Sequence, residues 1–80
     1  MQSLEEKIKA IIVDRLGVDP QDVVSEAKLS DFSADSLDIA ELVMTFEKEF
    51  DLAISDSDME AFVTVGGIIK YVSDHKPELR

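Results

Sequence analysis

Cysteine is missing from this 80-residue chain, so neither disulfides nor thiolate metal sites can hold its fold. Long apolar runs are missing too: nothing approaches the roughly 20 residues that a membrane span needs. The N-terminus lacks the basic and apolar regions of a signal peptide. The expected setting is therefore soluble and cytoplasmic, without membrane insertion. Histidine occurs once, as His75 in a polar stretch near the C-terminus, which leaves any serine without a convincing general base. No catalytic residue is expected, and no metal-ligating set. Basic residues are scarce: eight Lys and Arg face eighteen Asp and Glu, for a net charge of −10. That balance excludes nucleic acid as a partner, because phosphate is repelled, and it opposes docking onto an anionic membrane. A basic protein surface is the natural complement.

What is present suits one small folded domain spanning residues 1–80. An apolar share of 45% is enough for a core and too high for a disordered acidic tail. The charge is uneven. Between Ser30 and Glu60 ten carboxylates stand against Lys48 alone, so this stretch holds nine of the ten net negative charges.

Helical spacing organises the chain. Ser3 and Glu6 form a capping-box pattern, followed by Leu4, Ile8, Ile11, Ile12 and Leu16 at helical intervals, with Gly17 placed to end the helix. A long connection to Asp35 follows, in which Asp19-Pro20 predicts a single capped turn and Val23, Leu29 and Phe32 are spaced as anchors. A second helix is predicted over 36–50. Ser55 is a possible cap for a short third helix over 56–62. Thr64 caps a last helix carrying Val65, Ile68, Ile69 and Val72, stopped by Lys76-Pro77. Nothing alternates long enough for a strand. The predicted architecture is all-α: a four-helix bundle of three main helices and one short one, with a long loop between the first two.

The second helix has two apolar faces. At about 100° per residue, Val43, Phe46 and Phe50 fall within about 40° of Ile39, with Leu42 about 60° away, which makes a core stripe. Leu37, Ala40 and Met44 fall well away from it, on the side that holds Glu41, Glu47 and Lys48. This second stripe is either packed against another element or exposed. If exposed, it has the makeup of a docking surface, apolar contact adding affinity and carboxylates steering the encounter. Leu37, Glu41 and Met44 would form its centre, with Asp38 and Glu47 at the rim and Ala40 also on the partner-binding side.

Ser36 stands where the long loop meets this helix. By position alone, Ser36 or Asp35 is the helix cap, the ordinary use of either residue there. The surrounding residues say more. Ala34-Asp35-Ser36-Leu37-Asp38-Ile39-Ala40-Glu41-Leu42-Val43-Met44 resembles the phosphopantetheine attachment signature of bacterial acyl carrier proteins of the type II fatty acid synthase. Leu16-Gly17-Val18, Phe46-Glu47-Lys48-Glu49-Phe50, Thr64-Val65-Gly66 and Tyr71-Val72 match the same family in order, so the resemblance covers nearly the whole chain.

The resemblance implies a non-enzymatic carrier. A 4′-phosphopantetheine arm, taken from coenzyme A, would be joined covalently to Ser36, and fatty acyl groups would ride on it as thioesters. Asp35 would be read by the phosphopantetheinyl transferase, the holo-carrier synthase. Other implied partners are fatty acid synthase enzymes and acyltransferases with basic docking surfaces, meeting a monomer. The acyl chain would shelter among Leu42, Phe46, Ile54, Phe62, Ile68 and Val72. The chain also departs from the family pattern. Ser33 replaces the usual glycine three residues before the serine, and the segment before it is one residue shorter. Lys48 replaces a usual acid, and Phe46 and Phe62 replace aliphatic residues. A dedicated carrier for polyketide or other specialised acyl chemistry is an alternative within the family. An acidic helical interaction or cation-binding module is an alternative outside it. The EF-hand form of that module fails, because a loop starting at Asp56 would place Ala61 and Gly67 where glycine and glutamate are required.

Nine net charges gathered in the middle of a small domain oppose compaction, and salt screens exposed pairs beyond about 8 Å at physiological ionic strength. The melting temperature should therefore rise with added salt, and further with millimolar magnesium. A flat response in a melt from low to moderate ionic strength would mean that these acids are already compensated.

Overall fold

The computed structural model describes residues 3–79, with side chains through residue 78. Three α-helices form its frame: α1 (Leu4–Leu16), α2 (Ser36–Phe50) and α3 (Val65–His75). Each begins and ends for a local chemical reason. The Glu6 N–H donates to Ser3 Oγ at 3.2 Å, which is the first half of the predicted capping box. Gly17 closes α1 in the left-handed conformation at φ 64°, donating its N–H to the Val13 carbonyl, a geometry that favours glycine. Thr64 caps α3 by accepting the Gly67 N–H at 3.0 Å. Glycine at 67 is needed because a Cβ would collide with the Ala61 carbonyl oxygen. Among the described residues no strand forms; there is one isolated antiparallel bridge, between Lys28 and Thr64.

The short third helix is present and has 3-10 geometry. Within the expected segment 56–62 the chain makes a 3-10 turn at Asp58–Ala61. Ser55 does cap it, its Oγ accepting the Asp58 N–H at 3.2 Å, while the Ser55 carbonyl accepts the Asp58 and Met59 N–H groups. The segment is too short to repay helix nucleation, and tertiary contacts hold it instead. The Tyr71 hydroxyl on α3 donates to Asp58 Oδ2 at 2.9 Å. Burial, then this hydrogen bond and the charges of Asp58 and Glu47, push the Tyr71 phenol above its ordinary value of 10.0.

The long connection is pinned at both levels. Val23 and Leu29 are buried and Phe32 is half-buried, as anchors should be. The backbone is also tied to the segment that opens α3. Leu29 N–H donates to the Val63 carbonyl at 2.9 Å, Val65 N–H to Ala27 at 3.0 Å and Gly66 N–H to Ser25 at 2.9 Å. Two 3-10 turns, Pro20–Asp22 and Leu29–Phe32, complete it, the first capped by Asp19 as predicted. Inside, Leu4, Ile8 and Ile12 of α1 join the same buried cluster as Leu42, Val43, Phe46 and Phe50 of α2 and Val65, Ile68 and Val72 of α3. The aromatic rings form a chain through this core. Phe46 lies 6.1 Å from Phe50 and 6.0 Å from Phe62, and Phe62 meets Tyr71 edge-on at 5.7 Å between ring centroids.

Ser33 carries the backbone strain of the loop. It ends the Leu29–Phe32 turn at φ 60° and ψ 28°, the left-handed region that glycine enters freely and serine does not. That conformation costs a side-chain-bearing residue roughly 1–2 kcal/mol, while glycine at this position would lose roughly 0.4–1 kcal/mol through greater freedom of the unfolded chain. Ser33→Gly is therefore expected to stabilise the fold by about 0.5–1 kcal/mol. Urea unfolding checks it, and a destabilised variant would show that the Ser33 backbone is not strained.

Candidate functional site

The site is built at the start of α2, and a one-residue distinction decides its chemistry. Asp35, not Ser36, is the cap. Its Oδ1 accepts the Asp38 N–H at 2.9 Å, while Asp38 Oδ2 accepts the Asp35 N–H at 3.2 Å, a reciprocal box that closes the first turn. Ser36 is thereby placed as the first helical residue, exposed, with no side-chain hydrogen bond among the described residues. Its hydroxyl is free for chemistry because its neighbour does the capping.

The helix end suits an anion at that hydroxyl. The first N–H groups of an α-helix have no intrahelical acceptor, and the dipole adds positive potential. Asp35 takes the Asp38 donor and the Asp35 carbonyl takes that of Ile39 at 3.0 Å. The N–H groups of Ser36 and Leu37 remain for an incoming oxyanion. A phosphodiester on Ser36 Oγ therefore fits the residues present. Asp35 and Asp38 oppose it by charge, but each carboxylate is already paired with a backbone N–H.

The second apolar stripe of α2 is exposed. Leu37 is 66% accessible and Met44 63%, so neither packs against another element. Glu41 is exposed between them, Ala40 is half-buried, and the row continues one turn on to the exposed Lys48. Two residues assigned to the rim have other duties. Asp38 is half-buried and engaged in the capping box. Glu47 is half-buried and turned toward the loop beyond α2, where its Oε2 accepts the Ile54 N–H at 2.9 Å. Glu47 therefore organises the loop, a role that a helical wheel cannot reveal because the donor is seven residues away.

Of the residues assigned to cargo, Leu42, Phe46, Phe62, Ile68 and Val72 are buried in one cluster and Ile54 packs half-buried against it. They come from α2, α3 and the connection between them, and they meet as a packed core. Tyr71, matched to the family in sequence without a role of its own, ties this region together. Its ring contacts Phe62, its hydroxyl holds the Asp58 turn, and His75 stacks on it at 4.1 Å. His75 also bonds the Tyr71 carbonyl through Nδ1 at 2.9 Å, closing the last turn of α3. The signal available in the sequence was Tyr71 falling one turn before His75, on the side of α3 that carries Ile68.

Comparison with known proteins follows the same line. The phosphopantetheine attachment site family matches residues 6–72. An acyl carrier protein of Chlamydia trachomatis serovar L2 is 52% identical over 75 residues, covering 92% of this chain and 97% of its own. Acyl carrier proteins of C. trachomatis serovar D and of Chlamydia muridarum are each 51% identical, with the same coverage. No helix among the described residues is long and apolar enough to cross a membrane. A free serine at a helix N-terminus, in a three-helix frame that matches along nearly its whole length, leads to one conclusion: the chain belongs to the acyl carrier protein family.

Proposed function

We infer that Ser36 is the attachment point of 4′-phosphopantetheine and that this chain delivers fatty acyl groups to the enzymes of fatty acid synthesis. The carrying observation is the exposed Ser36 hydroxyl, left without a hydrogen bond among the described residues because Asp35 and Asp38 form the cap. The arm supplies a terminal thiol that holds an acyl group as a thioester, which a chain without cysteine has no side chain to provide. The chain's own part is positional. The box holds the start of α2, the Ser36 and Leu37 N–H groups favour the phosphodiester, and Leu37, Glu41 and Met44 present a partner with an apolar and acidic face beside it. Asp35 is the residue a phosphopantetheinyl transferase would read, and its capping bond holds its carboxylate in place for that contact. The cell compartment that fits this work is the cytoplasm.

Cargo is assigned to the core between α2 and α3. Leu42, Phe46, Phe62, Ile68 and Val72 are already in contact there, so an acyl chain must displace side chains to enter. The chain of rings running through Phe46 and Phe62 is the part that must yield.

Two outcomes test this reading. Incubation with a phosphopantetheinyl transferase and coenzyme A should add one arm per chain by intact mass, and Ser36→Ala should abolish the gain. Modification that persists in Ser36→Ala would remove the central assignment. Phe46→Leu should cost the unloaded protein roughly 1 kcal/mol or more through lost volume, and part of that loss should return when a medium-length acyl group fills the space. Thermal unfolding of unloaded and acyl-loaded protein, over a series of chain lengths, measures both. Equal stabilisation of wild type and variant at every length would place the cargo elsewhere.

A further inference from the structure

The Asp58–Ala61 turn packs Met59 and Ala61 against the core, and Phe62 follows it inward. Its fastenings run to α3. The Tyr71 hydroxyl donates to Asp58 Oδ2 at 2.9 Å. The Phe62 ring meets the Tyr71 ring edge-on, with 5.7 Å between centroids. The Ala61 carbonyl oxygen fills the space that a Cβ on Gly67 would need, so the end of the turn lies directly on the first turn of α3. The start of α3 is itself tied to the long connection. Leu29 N–H donates to the Val63 carbonyl, and the Val65 and Gly66 N–H groups donate to Ala27 and Ser25.

Toward α2 the turn is held differently. Among the described residues, no hydrogen bond or ion pair joins residues 58–62 to α2. What meets there is ring on ring, Phe46 to Phe62 at 6.0 Å between centroids. Glu47 does reach the loop from α2, but it takes the Ile54 N–H, ahead of the turn. These two kinds of contact respond differently to an incoming acyl chain. A ring that loses another ring regains dispersion contact from the methylenes that replace it. A half-buried hydroxyl that loses a carboxylate acceptor regains nothing from a hydrocarbon.

We propose that the turn and α3 part from α2 as one body, fastened by the Tyr71 hydroxyl, and that an acyl chain therefore enters between the Phe46 and Phe62 rings. Tyr71 is then a positioning residue: it acts on the turn and fixes which seam of the core opens. This rests on reading the core between α2 and α3 as the cargo site, and it narrows that site to one seam. The other path lifts the turn from α3 as a separate flap. That motion would break the Tyr71–Asp58 bond, part Phe62 from Tyr71 and draw Ala61 off Gly67 together. Opening along α2 exchanges apolar contact for apolar contact and leaves all three in place.

The experiment compares the arm-bearing protein with and without an octanoyl group, by nuclear Overhauser contacts among the aromatic rings. In the wild type, loading should remove the Phe46–Phe62 contact, keep the Phe62–Tyr71 contact and bring the octanoyl methylenes against Phe46 and Phe62. In Tyr71→Phe and Asp58→Ala the fastening is gone, so loading should also separate Phe62 from the ring at position 71. Asp58→Asn keeps an acceptor and should load as the wild type does. Loss of the Phe62–Tyr71 contact on loading the wild type overturns the proposal. So does its persistence in loaded Tyr71→Phe and Asp58→Ala, the pattern expected if the hydroxyl only stabilises the fold. Octanoyl contacts to Ile68 or Val72 that leave out Phe46 and Phe62 overturn the seam and keep the cargo site; no octanoyl contact to the core overturns both. Without cargo, Tyr71→Phe should speed amide exchange at Met59 and Phe62, whose N–H groups bond within the turn, about three- to tenfold. Unchanged exchange there would mean that the hydroxyl does not fasten the turn, which also overturns the proposal.

Discussion

The reciprocal bonds between Asp35 and Asp38 are what the functional end of this molecule depends on. A helix can begin at either of two adjacent polar residues, and capping by a side-chain oxygen is worth about 1 kcal/mol. Here the carboxylate of Asp35 takes that role, and Ser36 becomes the first helical residue with its hydroxyl exposed. Had Ser36 been the cap, its oxygen would be tied to a backbone N–H and turned toward the helix. Everything that follows along α2 inherits this register, including the core stripe that ends at Phe50 and the exposed row that ends at Lys48. The box in turn relies on how the loop arrives. Ser33 in its left-handed conformation and the backbone bonds from Ser25, Ala27 and Leu29 to the start of α3 set that approach.

The acids are less idle than their number implies. Of the ten carboxylates between Ser30 and Glu60, five accept a hydrogen bond from the chain itself. Asp31 accepts from Lys28 N–H, Asp35 and Asp38 from each other's backbone, Glu47 from Ile54 N–H and Asp58 from the Tyr71 hydroxyl. A carboxylate is an acceptor with several lone-pair positions, so it can take a backbone N–H that has no carbonyl partner at a turn or helix end. These five organise turns and helix ends. Glu41 and the other acids without such bonds are left to the surface, where their charge acts at a distance. The same residue type therefore serves architecture at some positions and only carries surface charge at others.

The core shows a related economy. Phe46 and Phe62 fill space between α2 and α3 that smaller side chains would leave open, and Tyr71 extends their row to the turn at Asp58. Close packing of these rings stabilises the fold.

Much of this was legible in the amino-acid sequence, because helix ends and helix faces are decided by neighbours within a turn or two. The bounds of α2, the caps at Ser3, Asp19 and Thr64, the stop at Gly17 and the separation of Leu37 and Met44 from the core stripe all follow from local spacing. The signature around Ser36 pointed to the family from residues alone. What the sequence left open were choices that depend on groups far apart in the chain. Whether Asp35 or Ser36 caps α2 depends on the path of a loop pinned to residues 63–66. The short segment at 56–62 forms a 3-10 turn because Tyr71, thirteen residues beyond Asp58, holds it there. Glu47 accepts the Ile54 N–H because the loop beyond α2 folds back beside it, a contact between residues seven apart that a helical wheel does not show. Local periodicity places a side chain on a face, but only the tertiary fold brings it the partner that decides its use.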